Sequence, residues 1–239
     1  MRKTTPFRWD LLIKVGGSLG RGAALPPLLQ RIGLLASRRR VLVVPGGGVF
    51  ADLVRRQSER MRVDEETAHH MALFAMDQFG LLLSSQSRRA TVVDNLQAAE
   101  LVAEAGRVPI LLASSLVRGE PGLEHSFRLT SDSIAAHLAG RVRAAHLILL
   151  KSFRRPAGRI RDRAAAEALA QKGRVDPLFP GMLPSGTMAW ILCGREPAQL
   201  DRFMPAGHRA ARAGSRPAPR AGGALPRRPP AAPRARLGS

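Results

Sequence analysis

Tyrosine is absent from this chain, cysteine occurs once, and lysine supplies only four of 38 basic residues. Each scarcity removes a class of protein. A lone Cys193 among 239 residues excludes a disulfide framework and makes a reducing, cytoplasmic compartment the expected setting. Aromatic residues make up 4% of the chain, too few for the base-stacking platforms of single-strand nucleic-acid binders. No apolar run is long enough to cross a bilayer, and Met1 to Asp10 is polar and charged, unlike a secretory leader. Neither common nucleotide fingerprint is present. There is no G-x-x-x-x-G-K-S/T, and no G-x-G-x-x-G follows an apolar strand.

Acidic residues are missing altogether from 205–239, which is almost wholly Pro, Arg, Ala and Gly and carries eight arginines. The net charge of +20 therefore divides into +8 on this tail and +12 on the rest, where 30 Lys+Arg face 18 Asp+Glu. Such a tail buries too little apolar surface to offset its ordering entropy, so residues 205–239 are expected to be disordered and 1–204 to form one domain. Nucleic acid is expected as a partner only nonspecifically, through that tail. No membrane partner is expected.

What is present, in a body that draws on 45% apolar residues, is an alternation of strand and helix. Leu11 to Val15 reads as a strand buried on both faces, followed by Gly16-Gly17-Ser18 and a helix near 23–36. Val41 to Val44 repeats the pattern, with Gly46-Gly47-Gly48 and a helix near 49–61. A longer helix is predicted near 64–84, a short strand at Ala90 to Val93, a helix near 95–105 and a strand from Val108 to Ala113. A helix capped by Thr130 or Ser131 runs to about Ala139, strand His146–Leu150 ends at Lys151, and helix 162–172 and strand Met188–Cys193 complete the body. The expected fold is α/β: a three-layer αβα sandwich around a mainly parallel sheet.

Glycines at a strand-to-helix junction bring backbone N–H groups close to an anion, and the helix N-terminus adds positive dipole. Two such loops suit two neighbouring anions, a phosphoryl donor and its acceptor. Lys14 and Lys151 stand beside these loops, and lysine is a compact charge able to follow a moving phosphoryl group. A lysine in so apolar a strand as Leu11–Val15 needs a buried partner. Asp132, in the first turn of its helix, is the candidate, although a carboxylate there also simply complements the helix dipole.

The set Lys14-Val15-Gly16-Gly17-Ser18-Leu19, Pro45-Gly46-Gly47-Gly48, Thr130-Ser131-Asp132-Ser133-Ile134-Ala135-Ala136 and Leu149-Leu150-Lys151-Ser152 resembles the amino acid kinase superfamily over about residues 8–204. Together with the helix Ala68 to Gln78, it looks most similar to the branch that includes the aminomethylfuran phosphate kinase of methanofuran biosynthesis. The resemblance implies ATP and Mg²⁺, with Lys14, Asp132 and Lys151 as catalytic residues. Gly16, Gly17, Ser18 and Ser152 would hold the nucleotide, and Gly46, Gly47 and Gly48 the acceptor. It also implies a phosphate or carboxylate acceptor, with aminomethylfuran phosphate as the specific expectation and a homo-oligomer, at least a dimer, as the assembly. A uridylate or amino acid kinase remains an alternative, as does a non-catalytic nucleotide or oxyanion binder on the same fold. One departure from related chains is Phe153-Arg154-Arg155-Pro156-Ala157-Gly158, where an acidic residue and a glycine are usual.

His69 and His70 invite a metal. Neighbours on a helix point about 100° apart and cannot share one ion, and no cysteine or carboxylate cluster completes a site, so no metal centre is expected. Met71, Phe74 and Met76 read as core or dimer packing, Asp77 as a solvated helix position, and Cys193 as inert.

Overall fold

The structure is a computed structural model that describes residues 7–118, 120, 123–126, 128–154 and 158–205. Seven strands form one sheet: β1 (Leu11–Val15), β2 (Val41–Pro45), β3 (Ala90–Val93), β4 (Val108–Leu111), β5 (His146–Lys151), β6 (Gly158–Ile160) and β7 (Met188–Cys193). Their order is β3-β4-β2-β1-β5-β7-β6, parallel throughout except where β6 runs antiparallel along β7. Helices α1 (Leu25–Ala36), α2 (Gly48–Met61), α3 (Glu65–Ser85), α4 (Leu96–Glu104), α5 (Ala113–Val117), α6 (Ser131–Arg141), α7 (Arg163–Gln171) and α8 (Phe179–Met182) lie between the strands in sequence. The expected αβα sandwich is therefore what the chain forms. The expected disorder of the tail falls outside the described residues.

Two apolar layers sandwich the sheet, and the period-2 alternation of strand side chains assigns each residue to one of them. Leu11, Ile13 and Val15 join Leu28, Leu29 and Ile32 of α1 in one layer. Leu12 joins Ile134, Ala135 and Leu138 of α6 in the other. On β5, Leu147 and Leu149 share the α6 layer, whereas Ile148 and Leu150 face α1. By this parity Lys14 and Lys151 both project to the α6 side. Lys14 lies within the ladder, beside Val44 of β2 and Leu149 of β5.

Three elements depart from the sequence expectation. The strand from Val108 stops at Leu111, because Ala113 already begins α5. β6 has three residues, too few to carry a periodicity that a sequence reading detects. The residues ahead of α1 form a short 3₁₀ turn, Gly17–Gly20, and α1 itself begins with prolines in its first turn.

Candidate functional site

The C-terminal ends of β1, β2 and β5 meet where the chain reverses its direction of winding, with β2 on one side of β1 and β5 on the other. In an open parallel sheet that crevice is the ordinary ligand position. Here it holds a cavity of about 340 Å³, lined by residues of both glycine loops, α2, α3 and the start of α6.

At its floor Asp132 joins the two lysines. Lys14 Nζ donates to Asp132 Oδ1 at 2.7 Å, and Lys151 Nζ donates to Asp132 Oδ2. Lys14 is 4% exposed and Asp132 3%. Burial alone would raise the Asp132 carboxyl, but the Lys14 and Lys151 ammoniums overcome it and hold the group ionised, below its ordinary range. Lys151 moves the other way. Burial and the Lys14 charge push its ammonium down to about 8, against the opposing pull of Asp132. Two cations and one anion leave a net positive charge at the cavity floor, which suits an incoming polyanion.

Asp132 is aimed by its helix. Thr130 caps α6, its Oγ1 accepting from the Asp132 N–H at 3.4 Å while donating to Asp176 Oδ2 at 2.6 Å. Asp176 is buried and also accepts from Ser133 N at 3.0 Å, Ser133 Oγ, Leu178 N at 3.1 Å and Phe179 N at 3.0 Å. This one carboxylate thus ties the first turn of α6 to the turn that opens α8. The sequence reading missed Asp176, since nothing in its local pattern links it to a helix 43 residues earlier.

The glycines divide into two roles. Gly17, Gly47 and Gly48 line the cavity, together with Ser18. Gly16 and Gly46, expected to hold the nucleotide and the acceptor, are not among the lining residues, and their N–H groups are engaged within the fold. The Gly16 N–H is taken by the Leu150 carbonyl at 2.9 Å, and the Gly46 N–H by the Val15 carbonyl at 2.8 Å. Both stitch the loops to the sheet. The loops also press on each other: a Cβ on Gly17 would lie 2.0 Å from Gly48 N and 2.2 Å from its Cα. Backbone cannot yield as a side-chain tip can, so Gly17→Ala is expected to push the loops apart. We expect at least about a tenfold loss of nucleotide affinity by calorimetry, the cost of displacing a few preorganised donors. Affinity within twofold of the parent chain would show that the cradle is not used.

Ser18 Oγ donates to Ser152 Oγ at 2.9 Å, joining the first loop to the end of β5. Phe153 packs under the Arg174 guanidinium at 4.6 Å. Residues 155–157 of the divergent segment lie outside the described residues. The lining also includes Arg21, Asp52 and Arg55, none of which the sequence reading selected, and His69. Arg21 Nη2 and Asp52 Oδ2 pair at 2.6 Å.

The α3 expectations are mixed. Met76 is buried, whereas Phe74 is 46% exposed. Asp77 is not a solvated position: it accepts from Ser114 N at 3.3 Å and from Ser114 Oγ, and burial raises its carboxyl. It does not line the cavity. The argument that His69 and His70 cannot share an ion holds, but His70 finds other ligand-type side chains, one of them from a distant segment. Glu66, one turn before His70, and His125 gather with His70.

Over 205 residues the chain is 25% identical to the (5-(aminomethyl)furan-3-yl)methyl phosphate kinase of Methanocaldococcus jannaschii, an alignment that covers 82% of this chain and 94% of the relative. The chain is thus similar to a small-molecule phosphate kinase over most of its length. The fold agrees. The uridylate kinase of Archaeoglobus fulgidus superposes on this chain with a TM-score of 0.62 at 17% identity, covering 82% of this chain and 96% of that one. The UMP kinase of Bacillus anthracis does so with 0.57 at 16% identity, covering 83% and 92%. No family model matches the chain. Among the described residues no helix is long and apolar enough to cross a membrane.

Proposed function

We propose that this kinase transfers the γ-phosphoryl group of ATP to the phosphate of a small acceptor, with aminomethylfuran phosphate as the substrate and a diphosphate as product. The observation that carries the reading is the Lys14–Asp132–Lys151 array, set between two glycine loops at the ends of parallel strands. An acceptor phosphate oxygen attacks the γ-phosphorus. Its new P–O bond forms as the bond to the β,γ-bridging oxygen breaks, and that oxygen leaves on ADP. Little covalent help is needed, so catalysis is positioning and charge neutralisation. In this assignment Lys14 and Lys151 flank the moving group, Asp132 holds both ammoniums, and Gly17, Ser18 and Ser152 cradle the donor. Gly47 and Gly48 face the acceptor, and Arg21 and Arg55 add positive charge on its side of the cavity.

Magnesium fits this site only as a companion of the nucleotide. Asp132 and Asp52 are the carboxylates among the lining residues described, and both oxygens of Asp132 are engaged by ammoniums while Asp52 pairs with Arg21. Mg²⁺ would therefore be held by the triphosphate oxygens, where it would add neutralising charge, with Asp132 kept for the two ammoniums.

The test is an ADP-release screen against aminomethylfuran phosphate, UMP, acetylglutamate and aspartate, with the product read by ³¹P NMR. The expected result is release stimulated by aminomethylfuran phosphate and new diphosphate resonances. Stimulation by UMP instead would make it a uridylate kinase, and tight ATP binding with no acceptor-dependent release would make it a non-catalytic binder.

Lys151 carries a pH signature. A lysine at about 8 loses its proton as pH rises through that value, so kcat/KM should fall above about pH 8. Lys151→Arg keeps the charge and should erase that limb at reduced activity. An unchanged limb in the variant would remove Lys151 from the mechanism. The reading further takes the protein as cytoplasmic, as a homo-oligomer with the exposed Phe74 and Leu81 of α3 in its interface, and as complete without its tail. A chain ending at Met204 should melt within a few degrees of the full protein, as follows from a stability change below about 1 kcal/mol. A larger drop would mean that the tail docks on the body.

A further inference from the structure

Beside the transfer site, ligand-type side chains from two separate segments converge. Glu66 and His70 are four residues apart on α3, so they rise from one face of the helix. His125 reaches them from the segment ahead of Thr130. One ligand atom from each of the three lies within 4.8 Å of the others. His125 Nδ1 is 3.8 Å from Glu66 Oε1, and the His70 and His125 rings are 5.5 Å apart, tilted by 57°. Behind them the His69 ring, 2% exposed, stacks on His125 at 5.2 Å with 7° between planes and so fixes the orientation of that imidazole. His70 Nε2 is buried without a hydrogen-bond partner, a state that folded proteins rarely leave unanswered.

We infer that Glu66, His70 and His125 form a site for a first-row divalent cation of the Zn²⁺ class, with two imidazole nitrogens, one carboxylate oxygen and a fourth position for water. Imidazole donors favour zinc over Mg²⁺, which takes oxygen ligands in a strict octahedron. Zinc bonds of about 2.0–2.1 Å require the three donors to close by roughly an ångström from their present spacing. Glu66 can supply that motion, because its side chain is 70% exposed while His125 is 29% exposed and held by His69. The ion would pin the segment that leads into the α6 cap onto α3. His69 lines the transfer cavity, so the clamp adjoins that cavity without using any of its charged groups.

The test uses the full chain, stripped with a chelator and titrated with Zn²⁺ in millimolar Mg²⁺ against a chromophoric competitor, then with Co²⁺ under visible absorption. One tight equivalent of Zn²⁺ is expected, with a rise in melting temperature and Co²⁺ bands of tetrahedral intensity. Glu66→Gln, at an exposed position that cannot disturb packing, and His125→Asn should each weaken Zn²⁺ by more than about 10–100-fold, the loss typical of removing even an outer partner. His146→Asn, on β5, should leave binding unchanged. Absence of a tight equivalent, or one that survives the paired His70→Asn and His125→Asn substitutions, would overturn the site. None of these readouts depends on the acceptor or on turnover.

Discussion

Lys14→Met is expected to lower kcat/KM by about 10²–10³, the usual cost of removing one preorganised charge from a transition state. Methionine retains the apolar stem that β1 buries between β2 and β5, so packing is little changed. Electrostatically the fold should tolerate the change well. Asp132 keeps Lys151 as its counter-ion, and the site passes from a net positive charge to a neutral pair. Burial is the main force on Lys151, with the Lys14 charge adding to it, so removing Lys14 should also raise the Lys151 ammonium above its value of about 8. The residual activity of the variant should then hold to higher pH than the parent chain. Steady-state kinetics across pH 7–10 (a range chosen around that value) reads both effects. Near-parental turnover in a folded variant would remove Lys14 from the chemistry.

Asp132→Asn should act mainly on stability. It takes their shared carboxylate from Lys14, which is buried, and from Lys151, which is largely so, and breaking a buried ion pair by removing one partner costs about 3–5 kcal/mol. At about 2–4 °C per kcal/mol for a domain of this size, the melting temperature should fall by roughly 6–20 °C. The pH dependence has a definite sign. Lys151, whose folded pKa lies below its unfolded value, binds fewer protons folded than unfolded as pH rises past about 8, so stability increases with pH in that window. The variant should therefore recover part of its loss between about pH 8 and 10, by a larger margin than the parent chain. A melting temperature unchanged at pH 7 would show that the lysines are not held by Asp132.

How the site became legible follows from particular residues. Lys14 stood out because an otherwise apolar strand cannot bury an ammonium unpaired, and Lys151 because it ends a strand of the same kind. Gly17 and Gly48 stood out because glycines cluster at strand-to-helix junctions where backbone must come close. The same cue also picked Gly16 and Gly46, whose N–H groups are instead spent on Leu150 and Val15. A run of glycines shows that backbone is crowded without showing which amide points outward.

By itself, the sequence determined the alternation of buried strands and helices and the placement of both lysines at strand ends beside the glycine loops. Those properties are local, since a strand's period and a helix's cap are set by residues a few positions apart. Only the tertiary structure decided that Asp176 would anchor the α6 cap from 43 residues away, that Arg21 and Asp52 would pair at the cavity wall, and that His125 would meet Glu66 and His70. Each of these depends on where a loop returns in space. That return is settled by how the two apolar layers pack around the sheet, and no short-range pattern in the chain encodes it.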